Sequence, residues 1–144
     1  MIEKIVDYMH WANARVIEWI NVESGNSDDY VRLASHILNA EKVWICRAQQ
    51  IGADRDTFKS HGLPEMAALN ESNHEGFRSL LQTDLKKELN YQLFDGTPMR
   101  SCAEDMFLHA FSHGFHHVGQ MAAIASRSGK KFPDVSYIGF TRTK

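Results

Sequence analysis

Apolar residues recur at steps of three and four along most of the chain. Ile2, Ile5, Met9, Ala12, Val16 and Ile20 form the first such series, and this spacing lays one apolar stripe along an amphipathic helix. Gly25-Asn26-Ser27 interrupts it, and Ser27 can cap a second helix that carries Asp28 and Asp29 in its first turn. Tyr30, Leu33, Ile37, Ala40, Trp44 and Ala48 form that helix's stripe, with an end predicted at Gly52. After a polar link containing Gly62, Pro64 suits the opening of a third helix outlined by Met66, Leu69, Asn73, Phe77 and Leu80.

Beyond Thr83 the period shortens. Leu89, Tyr91 and Leu93 alternate with Glu88, Asn90 and Gln92, as in a half-buried strand. Asp95-Gly96 is a hairpin-turn signal, and Pro98 restricts the return strand to a short or edge position. Ser101-Cys-Ala-Glu104 reads as a capping box opening a fourth helix, which runs to Ser128 with Gly129 as its left-handed terminator. The pattern predicts an all-α, four-helix bundle with a short β-hairpin between helices three and four. It occupies one domain, residues 1–144, without internal repeats.

Four histidines fall within nine residues of the fourth helix: His109, His113, His116 and His117. At roughly 100° per residue, Phe107, Phe111, Gly114, Val118, Met121 and Ala125 share one face, with Met106 and Ile124 to one side. His113 and His117, four apart, flank that side and point into the apolar sector. His109 and His116 lie farther round, with Asp105, Ser112 and Arg127. Inward imidazoles need hydrogen bonds or a metal, and an i,i+4 pair can offer two nitrogens to one cation. A third ligand has to come from another element. His36, at the edge of the second helix's stripe, is the first candidate, with His10, His61 and His74 competing. The residues alone fit a metal site and a hydrogen-bonded polar face about equally. Imidazole suits zinc, nickel, copper and ferrous iron, so the donors do not select the ion.

Composition adds boundaries. A hydrophobic share of 43% and a charged share of 24% suit a globular core. A net charge of −2 supplies no general attraction to nucleic acid. No apolar run reaches membrane-spanning length, and the charged start Met-Ile-Glu-Lys lacks a signal-peptide core. Cys46 and Cys102 form no CxxC pair. The expected compartment is the cytoplasm, with neither a nucleic-acid nor a membrane partner.

Three stretches resemble the DinB/YfiT-like family. They are Tyr8-Met-His-Trp11-Ala12-Asn13-Ala-Arg15, then His36-Ile-Leu-Asn-Ala-Glu41-Lys-Val-Trp44, and last His113-Gly-Phe-His116-His117-Val-Gly119-Gln120. The ending from Phe132-Pro133-Asp134 is similar too, so the resemblance spans essentially the whole chain. It implies an up-down-down-up bundle holding a divalent metal on His36, His113 and His117. Zinc or nickel come first as that metal, with iron or manganese as alternatives. The resemblance also implies a homodimer, a preference that the wide apolar arc of the fourth helix shares. Many relatives have an arginine where this chain has Val118, so no role is carried over there. The implied activity is transfer of a small thiol to an electrophile, ahead of metal-dependent hydrolysis or a non-catalytic stress-response module. Glu41 and His116 are the candidate catalytic groups, as proton relays; for Glu41 an orienting role or a surface ion pair are the alternatives.

Overall fold

The computed structural model describes residues 1–23 and 28–143. The expected break at Gly25-Asn26-Ser27, including the Ser27 cap, lies outside them. The chain is mostly helical, with helices α1 (Ile2–Val22), α2 (Asp28–Ala48), α3 (Leu63–Leu80), α4 (Ala103–Arg127) and α5 (Tyr137–Thr141), and strands β1 (Glu88–Gln92) and β2 (Pro98–Cys102). Among the long helices, α2 packs on α4 and α3, and α1 packs on α3 and α4.

Two apolar clusters fill the space between them. One gathers Val16, Ile20, Tyr30, Leu33, Ile37, Met66, Val118 and Met121. The other gathers Val6, Met9, Ile45, Phe77, Met106, Phe107 and Ala110. These are the stripes of the sequence periodicity, now facing one another. Met106 is buried within the chain as fully as Phe107, while Ile124, farther along that side of α4, is partly buried against the first cluster. No helix among the described residues is long and apolar enough to cross a membrane. Cys46 and Cys102 are both free thiols.

The ends of the elements follow local chemistry. Gly129, at φ +70°, terminates α4: Lys130 N–H donates to the Ala125 carbonyl at 2.8 Å and Gly129 N–H to Ser126 at 3.1 Å, satisfying carbonyls the last turn leaves open. Helix α2 stops four residues before the expected Gly52. Gln50 takes the left-handed conformation there, φ +60°, which most side chains disfavour. Its own amide compensates, donating to the Arg47 carbonyl at 2.8 Å and to Asn90 of β1 at 3.0 Å.

The hairpin forms where expected, β1 and β2 pairing antiparallel with Leu89 opposite Ser101 and Tyr91 opposite Met99. Its turn is longer than a two-residue one. Only Gly96 has positive φ, and Leu93 both accepts from Gly96 N–H and donates to the Thr97 carbonyl, each at 2.9 Å, the geometry of a type I turn plus glycine bulge. The capping box does not form. Ser101 is still in the strand, Cys102 precedes the helix without a side-chain cap, and Glu104 is drawn into an ion pair with Lys86. The capping signal was a strand residue followed by a surface charge. The chain then returns along α1, where Trp19, Tyr8 and Arg15 donate to the carbonyls of Lys131, Val135 and Asp134. That closing segment carries the short helix α5, which the periodicity did not predict.

Candidate metal centre

His36 projects from α2, and His113 and His117 lie one turn apart on α4, the helix packed against it. Beside His113, the buried Gly114 faces the Ile37 side chain of α2, where a Cβ would make an ordinary contact at 3.6 Å. The three Nε2 atoms converge. His113 Nε2 is 3.2 Å from that of His36 and 3.1 Å from that of His117. Among the described residues these histidines form the one group of three or more potential ligands able to share an ion, their donor atoms all within 4.8 Å of one another.

The other ring nitrogens decide what those Nε2 atoms carry. His36 Nδ1 donates to the Thr57 carbonyl at 2.9 Å, and His117 Nδ1 donates to Gln120 Oε1 at 2.7 Å. In a neutral ring, a proton on Nδ1 leaves Nε2 with a bare lone pair. Two lone pairs therefore face His113 Nε2, which has at most one proton to give. A tetrahedral ion about 2.0–2.1 Å from each imidazole spaces its nitrogens by roughly 3.3 Å, close to the two short separations. The residues present thus fit a divalent ion.

Electrostatics keep the cluster ready to ligate. Burial, reinforced by the imidazoles of His117 and His36 and then His109 and His116, pushes His113 down to about 4. Burial also lowers His36, against the opposing pull of its bond to Thr57. Both rings are neutral at pH 7, the form a metal requires. The segment between α2 and α3 forms one wall of the site. Asn39 donates to the Thr57 and Lys59 carbonyls at 3.1 and 2.9 Å, and Phe58 stacks on His36 with ring centroids 3.9 Å apart and planes nearly parallel.

The remaining histidines are elsewhere. His109 stands against Trp44, and His116 is exposed with its ring 5.1 Å from that of His117. His10 and His74 stack on each other and pair with Glu71 and Asp7, while His61 bonds Asn39 and Glu65. Glu41 is not in a surface ion pair. It is 3% exposed, accepting from Asn13 at 2.8 Å and Asn73 at 3.1 Å, and burial pushes its carboxyl up to about 7.

A family model described as the DinB family matches residues 2–144. The chain belongs to the DinB family. No curated protein matches it. The stretches that carry the resemblance have separate structural tasks in this DinB protein. His36 faces the histidine cluster, Glu41 and Asn13 bond each other between α2 and α1, Trp44 packs on His109, and Arg15 holds the returning C-terminal segment. Sequence reasoning missed Thr57, Phe58 and Gln120. Gln120 was open to discovery, three residues after His117 and so on its face of the helix. Thr57 contributes a main-chain carbonyl, which leaves no mark in residue type.

Proposed function

We propose that this protein is a cytoplasmic, metal-dependent enzyme of the small-thiol S-transferase type, built as an up-down-down-up four-helix bundle and acting as a homodimer. His36, His113 and His117 are its ligands, with zinc or nickel the first candidates for the ion. The convergence of three Nε2 atoms, two of them with their protons committed to Nδ1, carries this reading. Three imidazoles leave a fourth position for a small molecule. A divalent ion held there supplies the Lewis acidity that keeps a thiol or water deprotonated near neutral pH.

The chain's own residues do the rest. Thr57 and Gln120 fix ring orientation and tautomer, as outer partners of metal-bound histidines do. Phe58 covers one face of His36 and keeps water from it. In the transfer, the thiol sulfur forms the new bond to the electrophilic carbon and the leaving group departs with its electron pair. The thiol's proton passes to solvent or to His116, which is better placed than Glu41, whose two oxygens are engaged by asparagines. The choice of thiol chemistry comes from the family resemblance. So does the dimer, now that Met106 is accounted for within one chain.

Elemental analysis tests the site: about one divalent ion per chain, lost in His36→Ala, His113→Ala and His117→Ala and kept in His109→Ala. Metal-loaded protein with small thiols and a chromogenic electrophile tests the activity. Rates above background that vanish in His113→Ala support it. Ester or amide hydrolysis without thiol transfer moves the assignment to hydrolase, and silence in both assays leaves a metal-binding module. A full metal complement in any of the three ligand variants refutes the site.

A further inference from the structure

A groove of about 480 Å³ opens beside the histidine cluster, between the start of α2 and the end of α4. Its volume suits a small-molecule ligand. His117 and Phe58 stand at the cluster, Leu33 and Ile124 supply apolar surface, and Arg32 and Arg127 bring two guanidiniums. No carboxylate among the described residues lines it. Among the described residues, the one ion pair of either arginine joins Arg32 to Asp29 at 3.8 Å between exposed side chains, an arrangement of little strength. Arg32 is one helical turn before His36 on α2.

Guanidinium groups recognise carboxylates through parallel N–H donors. The groove therefore pairs a site for a soft donor atom with a site for an anion a short distance along the same surface. We propose that Arg32 and Arg127 form a carboxylate subsite, so that the small molecule taken by this centre is a carboxylate-bearing thiol. The inference rests on the metal and thiol reading above and adds the charge class of the ligand.

The test uses the full chain loaded with cobalt(II), whose sulfur-to-metal charge-transfer band reports thiol binding without turnover. Three probes that share a mercaptoethyl chain differ in charge: 3-mercaptopropionate is anionic, 2-mercaptoethanol neutral and cysteamine cationic. Affinities are compared between wild type and Arg32→Gln/Arg127→Gln, which cancels differences in thiol acidity. Binding of 3-mercaptopropionate should weaken by roughly tenfold or more, the scale of losing a charged hydrogen bond. The neutral thiol should be unaffected, the cobalt content unchanged, and Arg32→Lys/Arg127→Lys should recover part of the loss. Equal changes for all three thiols, or no change for the anionic one, overturn the proposal and leave the thiol reading standing. If no thiol gives the band, the thiol reading falls, and calorimetry with succinate on the zinc-loaded chain decides the subsite. Succinate binding that depends on both arginines supports it, and absence of binding overturns it. Should the double variant lose helix or metal, the wild type decides: its preference for the anionic over the neutral thiol must shrink as salt screens the arginines, and a preference indifferent to salt overturns the proposal.

Discussion

Glu41 makes the metal-free protein less stable as pH rises, and replacing it with glutamine should remove that dependence. The carboxyl is buried among Asn13, Asn70 and Asn73 with no cation bonded to it. Desolvation outweighs the two asparagine bonds and raises it from 4.5 to about 7. A raised acid pKa means that the folded chain holds a proton the unfolded chain has released. Its stabilising contribution is complete below about pH 4.5 and disappears as pH climbs through about 7. The interval is worth on the order of 3 kcal/mol, at about 1.4 kcal/mol per pH unit. Among the described residues, Asn73 Oδ1 is the one buried side-chain polar atom without a partner, on the same side chain that donates to Glu41. The assay is urea unfolding of chelator-treated wild type and Glu41→Gln across this range. Wild-type stability relative to the variant should fall by about that amount from acid to neutral pH and level off above it. A difference that stays flat, or rises with pH, refutes the claim that this carboxyl is neutral in the core.

The histidine cluster should act in the opposite direction. His36 and His113 are held below the usual 6.5, so metal-free Glu41→Gln should lose stability as pH falls from there toward about 4, and adding His113→Asn should flatten the loss. Gln120→Ala removes the acceptor for His117 Nδ1 and should weaken metal affinity by about tenfold or more, whereas His116→Ala should not; competition with a metallochromic chelator measures both. Gly96 has φ +90°, so Gly96→Ala should cost about 1 kcal/mol in thermal unfolding without changing metal content. Light scattering should give the mass of a dimer at micromolar concentration; the monomer mass there refutes the homodimer.

Helices were legible because a stripe such as Val16-Ile20 or Leu33-Ile37 repeats one burial decision many times. The pair His113/His117 was legible for the same reason, since its position relative to Phe107 and Ile124 follows from helical angle alone. Boundaries were harder, because each depends on one residue. Gly129 acts as its type suggests, but at the end of α2 Gln50 adopts the left-handed conformation and compensates with its side chain. Ser101 and Glu104 had capping-box spacing, yet strand pairing and Lys86 claimed them first. Burial of Glu41 was hidden because a glutamate on a helix usually faces water. What reverses this is the trio of asparagines on α1 and α3, which only tertiary packing brings together.

The bond from His36 to Thr57 has a consequence for how this protein tolerates change. The acceptor is a peptide carbonyl, which every amino acid carries, so replacing Thr57 should leave the imidazole anchored. Removing one residue between Ala53 and His61 is different. It would shift the carbonyl out of register with His36 and Asn39, which depend on it together. In this loop the heritable requirement is written in spacing, and a mutational scan limited to substitutions would pass over it.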